Sequence, residues 1–225
     1  MPKRVVLSWS SGKDSAWALH RLQESPEFEV SGLLTTVNVA FDRVAMHGVR
    51  REILLEQARA CELPLTIVEI PFPCTNEQYE AAFLKGLQGL AEDSAVMAFG
   101  DLFLEDVRAY REELVSRAGW SCLFPIWGED TRDVAQAMIE EGIRARVACL
   151  DPRKVPREMA GRSFDASFLA DLPADVDPCG ENGEFHTCVH EGPMFRSPFD
   201  LEVGPTVDRE GFLFTDLSLG SAARG

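Results

Sequence analysis

The segment Ser10-Ser11-Gly12-Lys13-Asp14-Ser15 constrains this chain most, because of what stands on either side of it. Val5-Val6-Leu7 before it is a short apolar run that reads as a buried strand. After it, Ala16 to Leu22 carries apolar residues at helical spacing. A strand, a tight polar turn and a helix N-terminus aim backbone N–H groups and the positive end of a helix dipole at one point. That point suits a phosphate. Gly12 lets the backbone approach it closely, the hydroxyls of Ser10, Ser11 and Ser15 add donors, and Lys13 supplies a mobile positive charge. Asp14, a carboxylate at an anion site, makes sense if it holds a divalent cation that the phosphates share. The same residues would also serve as an ordinary capped strand-to-helix turn. They are not a Walker A loop: its first glycine would fall on Leu7, and Asp14 follows Lys13 where that motif needs Ser or Thr.

Further apolar runs alternate with helical patterns along the first half. Phe28 to Val37 reads as a second strand, Asn38 to His47 as a loop, and Val49 to Cys61 as an amphipathic helix with Ile53, Leu54 and Ala58 on one face. Leu65 to Ile70 is a third strand, followed by a helix over Asn76 to Glu92 that Thr75 or Asn76 would cap. Ala95 to Phe99 is a short buried strand ending at Gly100-Asp101, and Glu105 to Ala118 a helix stopped by Gly119. Such alternation implies a doubly wound, mostly parallel α/β sheet, whose ligands bind beyond the carboxyl ends of the strands. The phosphate loop, Thr35-Thr36 and Gly100-Asp101 all fall at those ends.

After about Trp127 the texture changes. A helix over Thr131 to Glu141 and a strand over Ala145 to Leu150 lead into a loop-rich stretch with many prolines. Leu201 to Val203 and Gly211 to Phe214 then suggest an antiparallel hairpin turning at Asp208-Arg209-Glu210. The division expected is a phosphate-binding unit over 1–128 and a smaller mixed α+β unit over 129–225 packed across its mouth.

Composition narrows the partners. A net charge of −15 over 225 residues disfavours a nucleic-acid surface, which needs clustered Lys and Arg. The first residues show no signal-peptide pattern, and no run approaches the roughly 18 apolar residues of a membrane span. Six scattered cysteines without a C-x-x-C pair fit reduced thiols, and with them a cytoplasmic protein.

A second polar cluster, Asp177 to Thr187, is too specialised for a connector. Glu181, Glu184 and His186 fall within six positions, each glutamate directly after a glycine and the histidine between an aromatic residue and a hydroxyl. A solvated acidic turn entering a strand is the plainer reading. Together with Ser10 to Ser15, Gly100-Asp101, Arg108, Arg111-Glu112, Pro125-Ile126-Trp127 and Gly192-Pro193-Met194-Phe195, this run resembles the diphthine–ammonia ligase family. The first loop is similar to the pyrophosphate loop of N-type ATP pyrophosphatases, except that Ser11 stands where the family has glycine.

The resemblance implies a PP-loop fold of the HUP type and an ATP-dependent, amide-forming reaction. ATP would activate a carboxylate as an acyl-adenylate, and ammonia would then displace AMP. Its partners would be ATP, Mg²⁺, ammonia and a carboxylate acceptor. In archaeal and eukaryotic relatives that acceptor is diphthine on elongation factor 2; bacterial relatives would act on something else, with cobamide salvage one suggestion. Ser10 to Ser15, Thr36, His47, Gly100 and Asp101 would bind nucleotide, with Asp14 also holding the metal. Arg108, Arg111 and Glu181 to Glu184, with Asn182 and Gly183, would meet the substrates. Lys13, Asp14, Glu181, Glu184 and His186 would carry the chemistry, the carboxylates holding ammonium and a base taking its proton.

Several of these residues have plainer roles open to them. Asp101 would cap the next helix, Arg108 and Arg111 would pair with Glu105 and Glu112, His47 would be solvated, and Trp127 would be core. Cys179 and Cys188 beside the glutamates raise sulfur transfer as an alternative, and a nucleotide-binding regulator without chemistry is a third class.

Overall fold

The computed structural model describes residues 1–90 and 95–220. A six-stranded sheet comes first. It contains β1 (Lys3–Ser8), β2 (Phe28–Asn38), β3 (Arg43–Val44), β4 (Leu65–Ile70), β5 (Val96–Ala98) and β6 (Ser121–Leu123). Five of these run parallel in the order β4-β2-β1-β5-β6. The short β3 pairs antiparallel with Val37 and Asn38 of β2, beyond the point where β1 ends. From β1 the chain winds outward to β2 and β4, then returns to the other side of β1. The order therefore reverses between β1 and β5, and open α/β sheets bind their ligands beyond the carboxyl ends of strands at such a point.

Four helices belong to this sheet: α1 (Lys13–Glu24), α2 (Arg51–Ala60), α3 (Asn76–Gln88) and α4 (Glu105–Ser116). The strands alternate inward residues between the two faces, as a period of two requires. Val5, Leu7 and Leu33 join one buried cluster with Leu19 of α1 and Ile53 of α2. Val6, Leu34 and Met97 join another with Phe83 of α3 and Leu114 of α4. The sheet is covered on both sides.

The remaining elements are α5 (Thr131–Glu140), β7 (Arg144–Leu150), α6 (Ala166–Asp171), β8 (Phe185–Glu191), β9 (Leu201–Arg209) and β10 (Phe212–Leu219). Their strands form an antiparallel sheet in the order β8-β7-β10-β9. This second sheet packs β8 against α1 and β10 against α2. Its residues Val147, Val189 and Leu213 belong to the same apolar cluster as Val5 and Leu7. The doubly wound sheet with a smaller, antiparallel companion is as expected.

Details differ for local reasons. The helix expected to reach Glu92 ends at Gln88, while 91–92 lie outside the described residues; at its start Thr75 is the N-cap, with Gln78 completing a capping box. The loop expected over Asn38 to His47 contains β3. The runs that became β6 and α6 are too short to show a period. The hairpin turns at Glu210-Gly211, one residue later than expected, because both adopt the left-handed conformation (φ 53° and 86°) that a two-residue loop requires.

One glycine fixes how the crevice closes. A Cβ on Gly100 would lie 2.8 Å from the Asp14 carbonyl oxygen and 3.1 Å from the Ser15 nitrogen. The end of β5 therefore packs on the backbone of the first turn of α1. Backbone cannot swing aside as a flexible side chain can. Gly100→Ala should lower unfolding free energy by about 1–3 kcal/mol in urea titration, and an unchanged midpoint would contradict this close approach.

Candidate functional site

The phosphate-type loop is built by buried hydrogen bonds from three directions. Trp9, at the end of β1, donates from Nε1 to Gln57 Oε1 of α2 at 3.0 Å. Gln57 Nε2 donates to the carbonyls of Ser11 at 3.1 Å and Val189 at 2.8 Å. The Val189 N–H donates to the same Ser11 carbonyl at 3.0 Å. Ser11 stands at φ 71°, where a non-glycine residue costs about 1–2 kcal/mol. A glycine there would avoid that cost. The Ser11 hydroxyl is buried and has no partner among the described residues.

Ser10 and Ser15 close the loop from inside, their hydroxyls 3.1 Å apart, while Ser15 Oγ also donates to the Gly12 carbonyl at 2.9 Å. Gly12 is the N-cap of α1 and offers no side-chain cap. The first-turn amides are therefore left for outside partners. One of them is met from the other half of the chain: Lys13 N–H donates to Thr187 Oγ1 of β8 at 3.0 Å.

Lys13 is not the mobile charge expected from the sequence. Its side chain is 1% exposed and pairs with Asp14 Oδ1 at 2.9 Å. It also donates to the Cys179 carbonyl. The rings of Phe164 and Phe185 lie 5.4 and 5.1 Å from its nitrogen. Burial opposes its charge most strongly, but Asp14, Cys179 and Glu181 together outweigh burial and hold the ammonium above its ordinary range. Burial likewise pushes the Asp14 carboxyl upward, against the pull of Lys13. Asp14 keeps one side toward solvent, with 26% of its side chain exposed.

The second cluster closes over this loop. Asp177 Oδ1 accepts from the amides of Cys179 at 2.9 Å and Glu181 at 3.1 Å, and its Oδ2 accepts from Thr131 Oγ1 at 2.6 Å. The turn that follows uses Gly180 and Gly183 in the left-handed region, and a Cβ on Gly180 would meet the Phe185 carbonyl oxygen at 2.7 Å. Glu181 reaches back to the amide of Leu102, beyond β5, at 2.8 Å. Glu184 is buried; its Oε1 accepts from Asn182 Nδ2 at 3.1 Å, and its Oε2 has no partner among the described residues. His186 stacks on His47 with ring centroids 4.5 Å apart. His47 in turn closes on Gly12, where a Cβ would come within 3.0 Å of its Nε2.

A family model of the diphthamide synthase N-terminal domain matches residues 3–121, and one of the diphthamide synthase C-terminal domain matches residues 130–214. The chain belongs to the diphthamide synthase family. No curated protein matches the chain. Membership makes it an ATP-utilising enzyme of the diphthine–ammonia ligase type. Among the described residues no helix is long and apolar enough to cross a membrane.

Within that family frame, Asp101 does not cap α4. It forms an ion pair with Arg111 at 2.6 Å, and Arg111 lies 4.5 Å over the Phe99 ring. Arg108 takes its plainer option, pairing with Glu112 at 2.9 Å while stacking over Trp127 at 4.8 Å. Thr36 lies in β2, opposite Val68, and its carbonyl accepts from Ala45 at 3.0 Å in the segment leading to His47. Burial raises the thiols of Cys179 and Cys188, the reverse of what a reactive sulfur needs.

Charge at the site is divided between two kinds of group. Burial lowers His186 to about 4, and burial with the neighbouring His186 and Lys13 lowers His47 further below its ordinary range. Both imidazoles are neutral at pH 7. Burial pushes Glu181 up to about 7, helped by Asp14 and Asp101. Its proton is then exchangeable near neutrality.

Gln57, Asp177 and Thr187 were not among the expected site residues. Gln57 left a readable trace: it sits four residues after Ile53, on the apolar face of α2. A polar residue there needs buried partners. Asp177 and Thr187 were visible only as members of the run.

The raised Glu181 pKa has a consequence for stability. Between its ordinary 4.5 and about 7, the folded chain holds a proton that the unfolded chain has lost. Stability conferred at low pH is therefore lost as pH rises through that window. Glu181→Gln should gain stability relative to wild type between about pH 5 and about pH 8 in urea unfolding. A pH-independent difference would contradict the burial assigned to this carboxyl.

Proposed function

We propose that this protein is an AMP-forming carboxylate–ammonia ligase. Its acceptor carboxylate attacks the α-phosphorus of ATP, the bond to pyrophosphate breaks, and an acyl-adenylate forms. Ammonia then attacks the acyl carbon, AMP leaves, and an amide results. The observation that supports this reading is the Lys13–Thr187 bond at 3.0 Å, which puts the phosphate loop and the glutamate run on one crevice. A binding module without chemistry has no need for unpaired carboxyl oxygen there.

Residues 1–128 bind ATP in this reading, and 129–225 bring the ammonia and acceptor groups. Amides at the start of α1, with the Ser10 and Ser11 hydroxyls, meet the phosphates of the departing pyrophosphate. Gly12, without a side chain, lets His47 close on the loop beside them. Lys13 acts through Asp14 and the Cys179 carbonyl, holding the carboxylate in place beneath the loop. Asp14 is a hard oxygen donor of the kind that suits Mg²⁺. Bound there, the ion would offset the charge of pyrophosphate.

The unpartnered Glu184 Oε2 accepts a hydrogen bond from ammonium, and the neutral His47–His186 pair does not repel that cation. Glu181, with a pKa of about 7, takes the proton that nitrogen loses before attack. That role falls to Glu181 rather than His186, whose pKa of about 4 makes it a weak proton acceptor. The acceptor is the diphthine carboxylate of elongation factor 2 where the host makes diphthamide, or otherwise a smaller carboxylate, met in the cytoplasm.

Isotope exchange between pyrophosphate and ATP, followed by addition of ammonium, tests this division. Asp14→Asn should abolish exchange. Glu184→Gln should leave exchange within about tenfold of wild type while amide formation falls about a hundredfold or more. Equal loss in both assays would overturn the assignment. Amide formation should also rise with pH through about 7 in wild type, tracking Glu181, and flatten in Glu181→Gln.

A further inference from the structure

Gln57 is the largest polar investment in the core that the chemistry above does not use. It is fully buried on α2, and every polar atom of its amide is engaged. Oε1 accepts from Trp9 at 3.0 Å; Nε2 donates to Ser11 O at 3.1 Å and Val189 O at 2.8 Å. Trp9 and Ser11 bracket Ser10 in the phosphate loop, and Val189 lies two residues beyond Thr187. One side chain therefore ties the two halves of the crevice together from behind.

The geometry of the peptide unit gives this tie a function. Ser11 O receives two donors, Gln57 Nε2 and Val189 N–H, which fixes the plane of the Ser11–Gly12 peptide. In a trans peptide the C=O and N–H point in opposite directions. Anchoring the carbonyl toward Gln57 therefore aims the Gly12 N–H away from it, toward the concave side of the loop. There its only hydrogen bond among the described residues is a long one, 3.4 Å to Ser10 Oγ. The same anchor holds Ser11 at φ 71°, a conformation that serine leaves readily when nothing restrains it.

We infer that Gln57 is a positioning residue for ATP: it holds the Ser11–Gly12 peptide so that the Gly12 amide faces the phosphates. This rests on the reading of the loop as an ATP site. Gln57 itself touches no substrate. Its loss should therefore weaken ATP binding through the loop, and a residue that tolerates the left-handed conformation at position 11 should relieve that loss.

Calorimetry of Mg·ATP binding to the full chain tests this without relying on turnover. Gln57→Met keeps the side-chain volume and removes the amide; it should weaken ATP affinity by about ten- to a hundredfold. Trp9→Phe, which releases Oε1 and also removes part of a buried indole, should weaken it in the same direction by a few-fold and supplies the test if Gln57→Met does not fold. Introducing Ser11→Gly should shrink either penalty by about fivefold or more, because glycine holds φ 71° unaided. In steady state the Gln57→Met loss should appear in KM for ATP more than in kcat. Affinity of Gln57→Met within twofold of wild type, or a penalty that Ser11→Gly leaves unchanged, overturns the inference. Wild-type protein that binds no ATP overturns the ATP-site reading, and this inference with it.

Discussion

A helix N-terminus leaves amides without partners, and in this protein the amide of Lys13 finds one in β8, far along the chain. The Lys13–Thr187 bond of 3.0 Å, backed by the Val189–Ser11 bond of 3.0 Å, sets the phosphate loop against the second sheet. Nearly everything at the site follows from that docking. It brings Cys179 to the Lys13 ammonium, His186 to His47, and Glu181 to the end of β5. Without it the first half would hold a phosphate loop and no group suited to ammonia. The second half would hold buried carboxyls facing nothing.

Electrostatics at the crevice follow from the same contact. The chain carries a net charge of −15, yet the proposed nucleotide site needs local positive potential. The supply is backbone dipole and one buried lysine, not a basic patch. Lys13 keeps its charge because Asp14 lies 2.9 Å away, and that pair is worth far more in a buried setting than it would be on the surface. The two histidines stay neutral because burial opposes their charge and Lys13 adds to that, and Glu181 stays near its titration point because burial and Asp14 work together. Three titratable types thus differ in charge state around one loop.

Much of this was legible in the sequence, for identifiable reasons. The strand–loop–helix at Ser10 to Ser15 announces itself because glycine and hydroxyls sit between two strong periodic patterns. The alternation through Phe99 fixes a parallel sheet, and the dense run at Asp177 to Thr187 marks a site by having too many functional groups for a turn. What was hidden depends on long-range pairing. The burial of Lys13 could not be read, since its partners Cys179, Phe164 and Phe185 are more than 150 positions away (the offset to Cys179 is 166). Arg111 and Asp101 were each visible, but not that they would pair. The strand at Ser121 to Leu123 is three residues long and carries no period of its own.

Hydrogen–deuterium exchange, with and without Mg·ATP, tests the shared crevice most directly. Nucleotide should slow exchange in the amides of residues 10–16 and, in the same experiment, in those of residues 180–189. Protection confined to the first segment, with the second unchanged at saturating nucleotide, would contradict the claim that the two halves build one site.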